Sequence, residues 1–481
     1  MGLESFYKEL MNINLMDDGE EKATASESLF KKLNDLQLPA TFNWAAEVFE
    51  GLHVKERGDQ PALIWTHMDT GEERRYTYSE LAAEGNKFLN YLRSFGIEKG
   101  DSVYMMSPSV PETWFASLAT VKGGLVSVPT ATTMTVRELE YRFSTYTPHA
   151  ILADEASAGP IDEALQNVGA KPKVKIVLGQ TQGWNGYAEV AGQSGAAQAA
   201  ETKSDDIILC FFTSGTTGMA KRVAHTATSY PLGHLSTANI IGIRPGDIHN
   251  NLSQPGWAKW AWSCFFAPFN VGAATTGFYY PARLDTGKYL EHLAKYKVNV
   301  FCAPPTAWRA FMLVDLSRFK FEALRESVSA GEPLNPEIIQ KWKKVTGTEI
   351  RDFYGQTEST AMIGNPPWFK GKIVAGSFGR PAFLYDIVLL DDEGKEVTKP
   401  DEVGHIAVRL DRWRAVGLFH EYLGSPEKMN EVFVRNYYYT GDRASFDEKS
   451  YWWFVGRADD VIKSSDYRVG PFEVESAMVE H

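Results

Sequence analysis

At 481 residues the chain is long enough for about three domains of roughly 150 residues each, or for one large composite body. Hydrophobic residues at 44% and charged residues at 23% exclude wholesale disorder. Lys and Arg total 49 against 61 Asp and Glu, and the net charge of −12 repels nucleic acid and anionic membrane at long range, so any phosphate ligand needs a local site.

The N-terminus, MGLESFYKEL, is charged where a secretory signal needs an apolar run. Gly2 invites a myristoylation test, but Phe6 stands where that motif takes Ser or Thr. No stretch approaches the roughly 18 apolar residues of a membrane-spanning helix. Cys210, Cys264 and Cys302 are widely spaced, which fits neither a disulfide framework nor a zinc site. The expectation is a cytoplasmic protein in a reducing compartment.

Residues 1–40 are polar with scattered apolar positions, an N-terminal extension of short helices packed on a larger body. From 76 to 96 the spacing of Leu81, Phe88, Leu92 and Phe95 predicts an amphipathic helix stopped by Gly96. Next come a strand in DSVYMMS, a helix in PETWFASLATVKGG and a strand in LVSVPT, an alternation that argues a helix-covered, largely parallel sheet. Residues 183–206 lack large apolar side chains and form a linker. The run IILCFF at 207–212 is a buried central strand, and YLEHLAKYKVNVFCAPP feeds a helix into another. After Gly379, β-rich runs alternate with turn residues, as hairpins of a small barrel would.

The strongest chemical signal is Thr213-Ser214-Gly215-Thr216-Thr217-Gly218-Met219-Ala220-Lys221, directly after the buried strand. Phosphate oxygens require many short donors, which glycine-exposed N–H groups and hydroxyls supply. Ala220 and Arg222 flank the lysine, so it is not a Walker A loop, and composition alone also allows a plain hairpin turn.

That loop resembles the phosphate loop of the adenylate-forming superfamily (acyl-CoA synthetases, luciferases and peptide-synthetase adenylation domains), with Ala220 where the family usually has proline. Three more segments match in order: Asp352-Phe353-Tyr354-Gly355-Gln356-Thr357-Glu358, Tyr439-Thr440-Gly441-Asp442 and Gly456-Arg457-Ala458-Asp459-Asp460. Gly256-Trp257-Ala258-Lys259 and the 464–471 segment SSDYRVGP resemble the medium-chain acyl-CoA synthetase branch.

The resemblance implies a large α/β body: a first α/β subdomain at 41–200, a second at 201–378 holding the phosphate loop, and a distorted β-barrel at 379–456. A hinge at 457–460 and the start of a C-terminal domain at 461–481 follow. It implies ATP, Mg²⁺ and coenzyme A as ligands, a small carboxylic acid as substrate, no nucleic-acid or membrane partner, and the family habit of a homodimer. By the same resemblance Thr217 and Glu358 hold Mg²⁺, Asp442 and Arg457 take the ribose or a phosphate, and Tyr354 stacks on adenine. Gly331, Glu332 and Pro333 line adenine and the acyl group. Thr217, Glu358 and Arg457 are the expected catalytic set.

Gly355 stands where acetate-specific relatives carry a bulky tryptophan, so it implies space for a medium-length, branched or aromatic acid. Trp257, with Gly331, Thr357 and Arg468, is expected at the substrate. Trp260, Trp262, Phe265 and Phe266 are core aromatics or a pocket wall. Ser465, Asp466 and Tyr467 match the segment lining the coenzyme A tunnel, although Asp466 replaces a common glycine. Thr133 is a further coenzyme A candidate, and Asp459 is the hinge. His225 and His234 are expected to be structural.

The family's catalytic lysine lies in a C-terminal domain beyond His481. The expectation is therefore a truncated chain that binds ATP, acid and acyl adenylate but turns over poorly. Two alternatives stand beside the acid:CoA ligase: an adenylating domain loading a carrier-protein thiol, and a non-catalytic acyl- and nucleotide-binding protein.

Overall fold

The computed structural model describes the chain except residues 1, 36–37, 214–219, 333, 370–372, 413–414, 459–461, 465–466 and 470–481. Helices Leu3–Leu15 and Glu20–Asp35 form the N-terminal extension. Phe6 and Leu10 of the first are buried, and the Tyr7 hydroxyl donates to Asn270 Oδ1 at 2.9 Å, tying the extension to the body.

Two large sheets follow. In one, strands Val126–Pro129, Ser102–Met106, Ala150–Asp154 and Val174–Leu178 run parallel beside Ile207–Thr213, and Lys221–Thr226 and Glu421–Tyr422 extend it antiparallel. In the other, Ile350–Gly355, Glu326–Ala330, Val300–Ala303, Ile248–Asn251, Ala274–Tyr279 and Pro61–His67 lie parallel in that order. The predicted helices appear as Tyr78–Ser94, Pro111–Gly123 and Thr286–Lys295. The first begins in a capping box, with Glu80 N–H on Thr77 Oγ1 and the Glu80 carboxylate on Thr77 N–H.

The sheets do not divide the chain at residue 200. Strands at 207–226 complete the sheet built from 102–186, and the 61–77 hairpin sits at the edge of the other sheet. Linear composition cannot reveal this, because strand order is set by which apolar faces meet, not by chain order.

A five-stranded antiparallel sheet is made of Ile387–Leu390, Gly404–Arg409, Phe433–Val434, Tyr437–Phe446 and Trp452–Arg457, a partial barrel. Beyond it a hairpin pairs Ile462–Ser464 with Tyr467–Val469. Among the described residues no helix is long and apolar enough to cross a membrane.

Candidate active site

A groove of about 660 Å³ opens where the C-terminal ends of the second sheet's strands meet the phosphate hairpin and the small barrel. It brings together Thr213, Lys221, Gly331, Glu332, every residue from Asp352 to Glu358, Asp442 and Arg457. Thr213 and Lys221 pair with one another where the antiparallel strands Ile207–Thr213 and Lys221–Thr226 meet. Ser214, Gly215, Thr216, Thr217 and Gly218 lie outside the described residues, as do Pro333, Asp459, Ser465 and Asp466. Tyr467 and Arg468 are placed by backbone alone, on the terminal hairpin.

Asp442 is buried and held by side-chain donors in the groove. It sits in the Tyr437–Phe446 strand opposite Arg457 and is only 6% exposed. Its Oδ2 accepts from the Tyr354 hydroxyl at 2.6 Å and from Gln356 Nε2 at 2.8 Å. Gln356 Nε2 also reaches Thr440 O at 2.9 Å, and its Oε1 accepts from the Tyr438 hydroxyl at 3.0 Å. Oδ1 has no hydrogen-bond partner among the described residues. Burial pushes the carboxyl above its ordinary range, while Tyr354, Arg457 and Gln356 pull the other way.

The Tyr354 ring packs edge-on against Phe378 at 5.6 Å and near Phe454 at 6.3 Å, and all three rings line the groove. Tyr354 is thus packed while it also lines the groove.

Glu358 lines the same groove. Its Oε1 accepts from the Tyr422 hydroxyl at 2.8 Å, and its main-chain carbonyl accepts from Phe419 N–H at 2.8 Å. The Lys221 ammonium lies 5.0 Å over the Tyr422 ring. Sequence reasoning missed Tyr422, Phe378 and Phe454, and nothing around them signals a site; only the fold delivers them. His225 is buried and structural as expected, with Nε2 2.7 Å from the Thr357 carbonyl, so it holds the turn that carries Glu358. His234 is buried too, with Nδ1 3.0 Å from Thr237 Oγ1.

Two expectations about the acyl side change. Trp257 is 63% exposed and does not line the groove; with Gly256, Trp260 and Phe265 it borders a narrow apolar cleft. The reason is Gly256, at φ +97°, pressed so closely on the neighbouring loop that a Cβ would stand 2.5 Å from Ala131 N. That turn leaves Trp257 as the outward cap of the short helix Ala258–Trp260. Gly355 does line the groove, but its missing side chain does not leave open space. A Cβ there would lie 2.3 Å from Thr360 O and 2.9 Å from the Trp262 ring, which already occupy it. Trp260, Trp262, Phe265 and Phe266 are all buried.

The groove and the sheets around it define a known class of protein. Residues 52–423 match the family model described as AMP-binding enzyme, and the chain belongs to that family. Over 480 residues it is 51% identical to 4-hydroxybutyrate–CoA ligase 1 of Metallosphaera sedula, a match covering all of this chain and 82% of that protein. It is 37% identical over 455 residues to the mitochondrial acyl-coenzyme A synthetase ACSM3 of Rattus norvegicus, covering 93% of this chain and 77% of the other. The crystal structure of the anthranilate CoA ligase AuaEII in complex with anthranoyl-AMP superposes with a TM-score of 0.84 at 27% identity, covering 92% of this chain and 83% of that one. The chain is an acyl-CoA ligase of the adenylate-forming superfamily, on its medium-chain acyl-CoA synthetase branch.

Proposed function

We propose that the groove carries out both halves of an AMP-forming acid:CoA ligation on a carboxylic acid larger than acetate, medium-length, branched or aromatic. In the first half a carboxylate oxygen bonds to the α-phosphorus of ATP as the bond to pyrophosphate breaks. In the second the coenzyme A sulfur, having lost its proton, bonds to the acyl carbon, and AMP leaves with the electron pair of the broken C–O bond. Both halves bring anions together, so positioning and charge neutralisation dominate.

The observation that carries this reading is Asp442: two donors fix one carboxylate oxygen and leave the other for a ribose hydroxyl. Tyr354, beside it, offers a face to adenine, with Gly331 and Glu332 across the groove. The Thr213–Lys221 hairpin takes the phosphates, and Arg457 takes the sugar or a phosphate oxygen. Coenzyme A enters along the terminal hairpin that carries Arg468.

Glu358 suits Mg²⁺: it is a hard oxygen donor in the groove, fixed through one oxygen by Tyr422, with no hydrogen-bond partner on Oε2 among the described residues. Thr217 is the second protein ligand in this reading. Bound there, the ion would neutralise phosphate charge.

The range of acids rests on likeness: the 51% relative is named for 4-hydroxybutyrate, which adds a short hydroxy acid to it. The three cysteines are buried free thiols, which suits the cytoplasm. Acid-dependent exchange of pyrophosphate into ATP, followed by AMP release on adding coenzyme A, tests the proposal. Exchange without a coenzyme A requirement for product release would sink the second half, and no exchange with any acid would sink the first.

A further inference from the structure

The helix Val136–Thr145 does not line the groove, yet its C-terminal half rests on both strands that meet at Thr213 and Lys221. Its start is well fixed by a capping box: Thr135 Oγ1 accepts from Glu138 N–H, and the Glu138 carboxylate accepts from Thr135 N–H at 2.8 Å. At its other end the last carbonyls lack partners inside the helix. That of Thr145 accepts from the Arg222 guanidinium, a cation at the negative end of the helix dipole. One turn earlier the Arg142 guanidinium lies 4.5 Å over the Phe212 ring, and the Tyr141 ring meets the same ring edge-on at 6.3 Å. The Tyr141 hydroxyl reaches past it and donates to Ala220 O at 2.9 Å.

Among the described residues the pairing of the two strands ends with Thr213 and Lys221, so Ala220 lies one residue beyond the last rung. Its carbonyl belongs to the planar peptide unit that joins it to Lys221. Holding that carbonyl fixes the direction in which the lysine side chain sets out. At the far end of that side chain the ammonium lies 5.0 Å over the Tyr422 ring, whose hydroxyl donates to Glu358 Oε1 at 2.8 Å. The lysine is thus held at its root by one tyrosine and near its tip by another. Ordering a long cationic side chain costs rotamer entropy, and a root set in advance lowers what the ligand must supply. Phenylalanine would pack on Phe212 as well as tyrosine does; only the hydroxyl reaches Ala220.

We propose that Tyr141 is a positioning residue for ATP: through the Ala220 carbonyl it aims the Lys221 ammonium at the phosphates. This rests on the reading that Thr213 and Lys221 mark the phosphate end of the groove, and it adds to that site a residue from outside it.

The test is calorimetric titration of the whole chain with MgATP and with adenosine, for the wild type, Tyr141→Phe, Lys221→Met and the double variant. Tyr141→Phe should weaken ATP binding by about threefold to tenfold, the size of one neutral hydrogen bond, and leave adenosine unchanged because it carries no phosphate. In the Lys221→Met background the same substitution should have no further effect on ATP. Titrating well below each variant's melting temperature keeps lost stability from being read as lost affinity. Unchanged ATP affinity in Tyr141→Phe overturns the proposal. An equal loss for ATP and adenosine does so too, because it marks a merely structural role, and so does a loss that adds in full to that of Lys221→Met. If Lys221→Met binds ATP as the wild type does, the reading of this end of the groove as the phosphate site fails, and the proposal with it.

Discussion

The groove and the buried aromatic cluster beside it are built on opposite plans. On the nucleotide side, Asp442, Tyr354, Gln356, Thr440 and Tyr438 bond one another, so the acceptor left for a ligand is held before it arrives. In the cluster, Trp260, Trp262, Phe265 and Phe266 are buried and fill space. A polar network fixes direction and suits a ligand that never varies. An aromatic cluster fixes only volume.

The largest effect expected from disturbing that contrast lies beneath the nucleotide wall. Arg351, 1% exposed, donates to Glu326 Oε2 at 2.9 Å, to Ile240 O and Ile241 O at 2.6 Å each, and to Asn365 O, anchoring the strand that carries Asp352 to Gly355. Arg351→Met should cost about 3 kcal/mol or more by urea unfolding, since it orphans buried carbonyls and removes a buried partner of Glu326. A loss below about 1 kcal/mol would show that the anchor is dispensable.

Asp442→Ala should weaken nucleotide binding by about 100-fold in calorimetric titration, near the upper range for a charged hydrogen bond. Asp442→Asn should fall between, because its amide nitrogen or oxygen must face two donors. If both variants bind ATP normally, the preorganised wall has another purpose.

On the acyl side, Gly355→Ala forces a methyl against Thr360 O and the Trp262 ring, and should destabilise by about 1–3 kcal/mol. It should also narrow the range of acids accepted. A neutral melting point would mean that the strand end yields, and that Trp262 is not a fixed floor.

The smallest effects are expected from pH. His53, His225 and His249 are buried and held neutral, each pushed down to about 3 from 6.5 by burial. Their folded values lie below the unfolded one, so their contribution is complete above pH 6.5 and is lost as pH falls toward 3. Asp352 has the opposite sign. Burial raises it from 3.8 to about 8, so its contribution is complete below pH 3.8 and is lost as pH rises through 8. The melting temperature should climb between pH 4 and 6.5, and Asp352→Asn should gain over wild type at pH 8.5 but not at pH 4. Parallel curves for the two proteins would mean that Asp352 keeps an ordinary carboxylate pKa.

The nucleotide wall was largely legible because its parts are contiguous: Asp352 to Glu358 is one strand end and turn, and Tyr439 to Asp442 is one strand segment. Helices such as Tyr78–Ser94 followed from periodicity and stop signals, and Ile207–Thr213 from its unbroken apolar run. The carrier of Glu358 was not legible: Tyr422 comes from 64 residues away in a segment without motif character.

By itself the sequence determined many of the elements, the superfamily and the contiguous segments that line the groove, since local periodicity and short contiguous motifs need no partner to be recognised. Only the tertiary structure decided which strands share a sheet across residue 200, that Trp257 faces outward, that Trp262 fills the place beside Gly355, and that Lys259 ends against Ala330. Each of those depends on close packing between segments distant in the chain, where tenths of an ångström settle what fits and no local pattern records the neighbour.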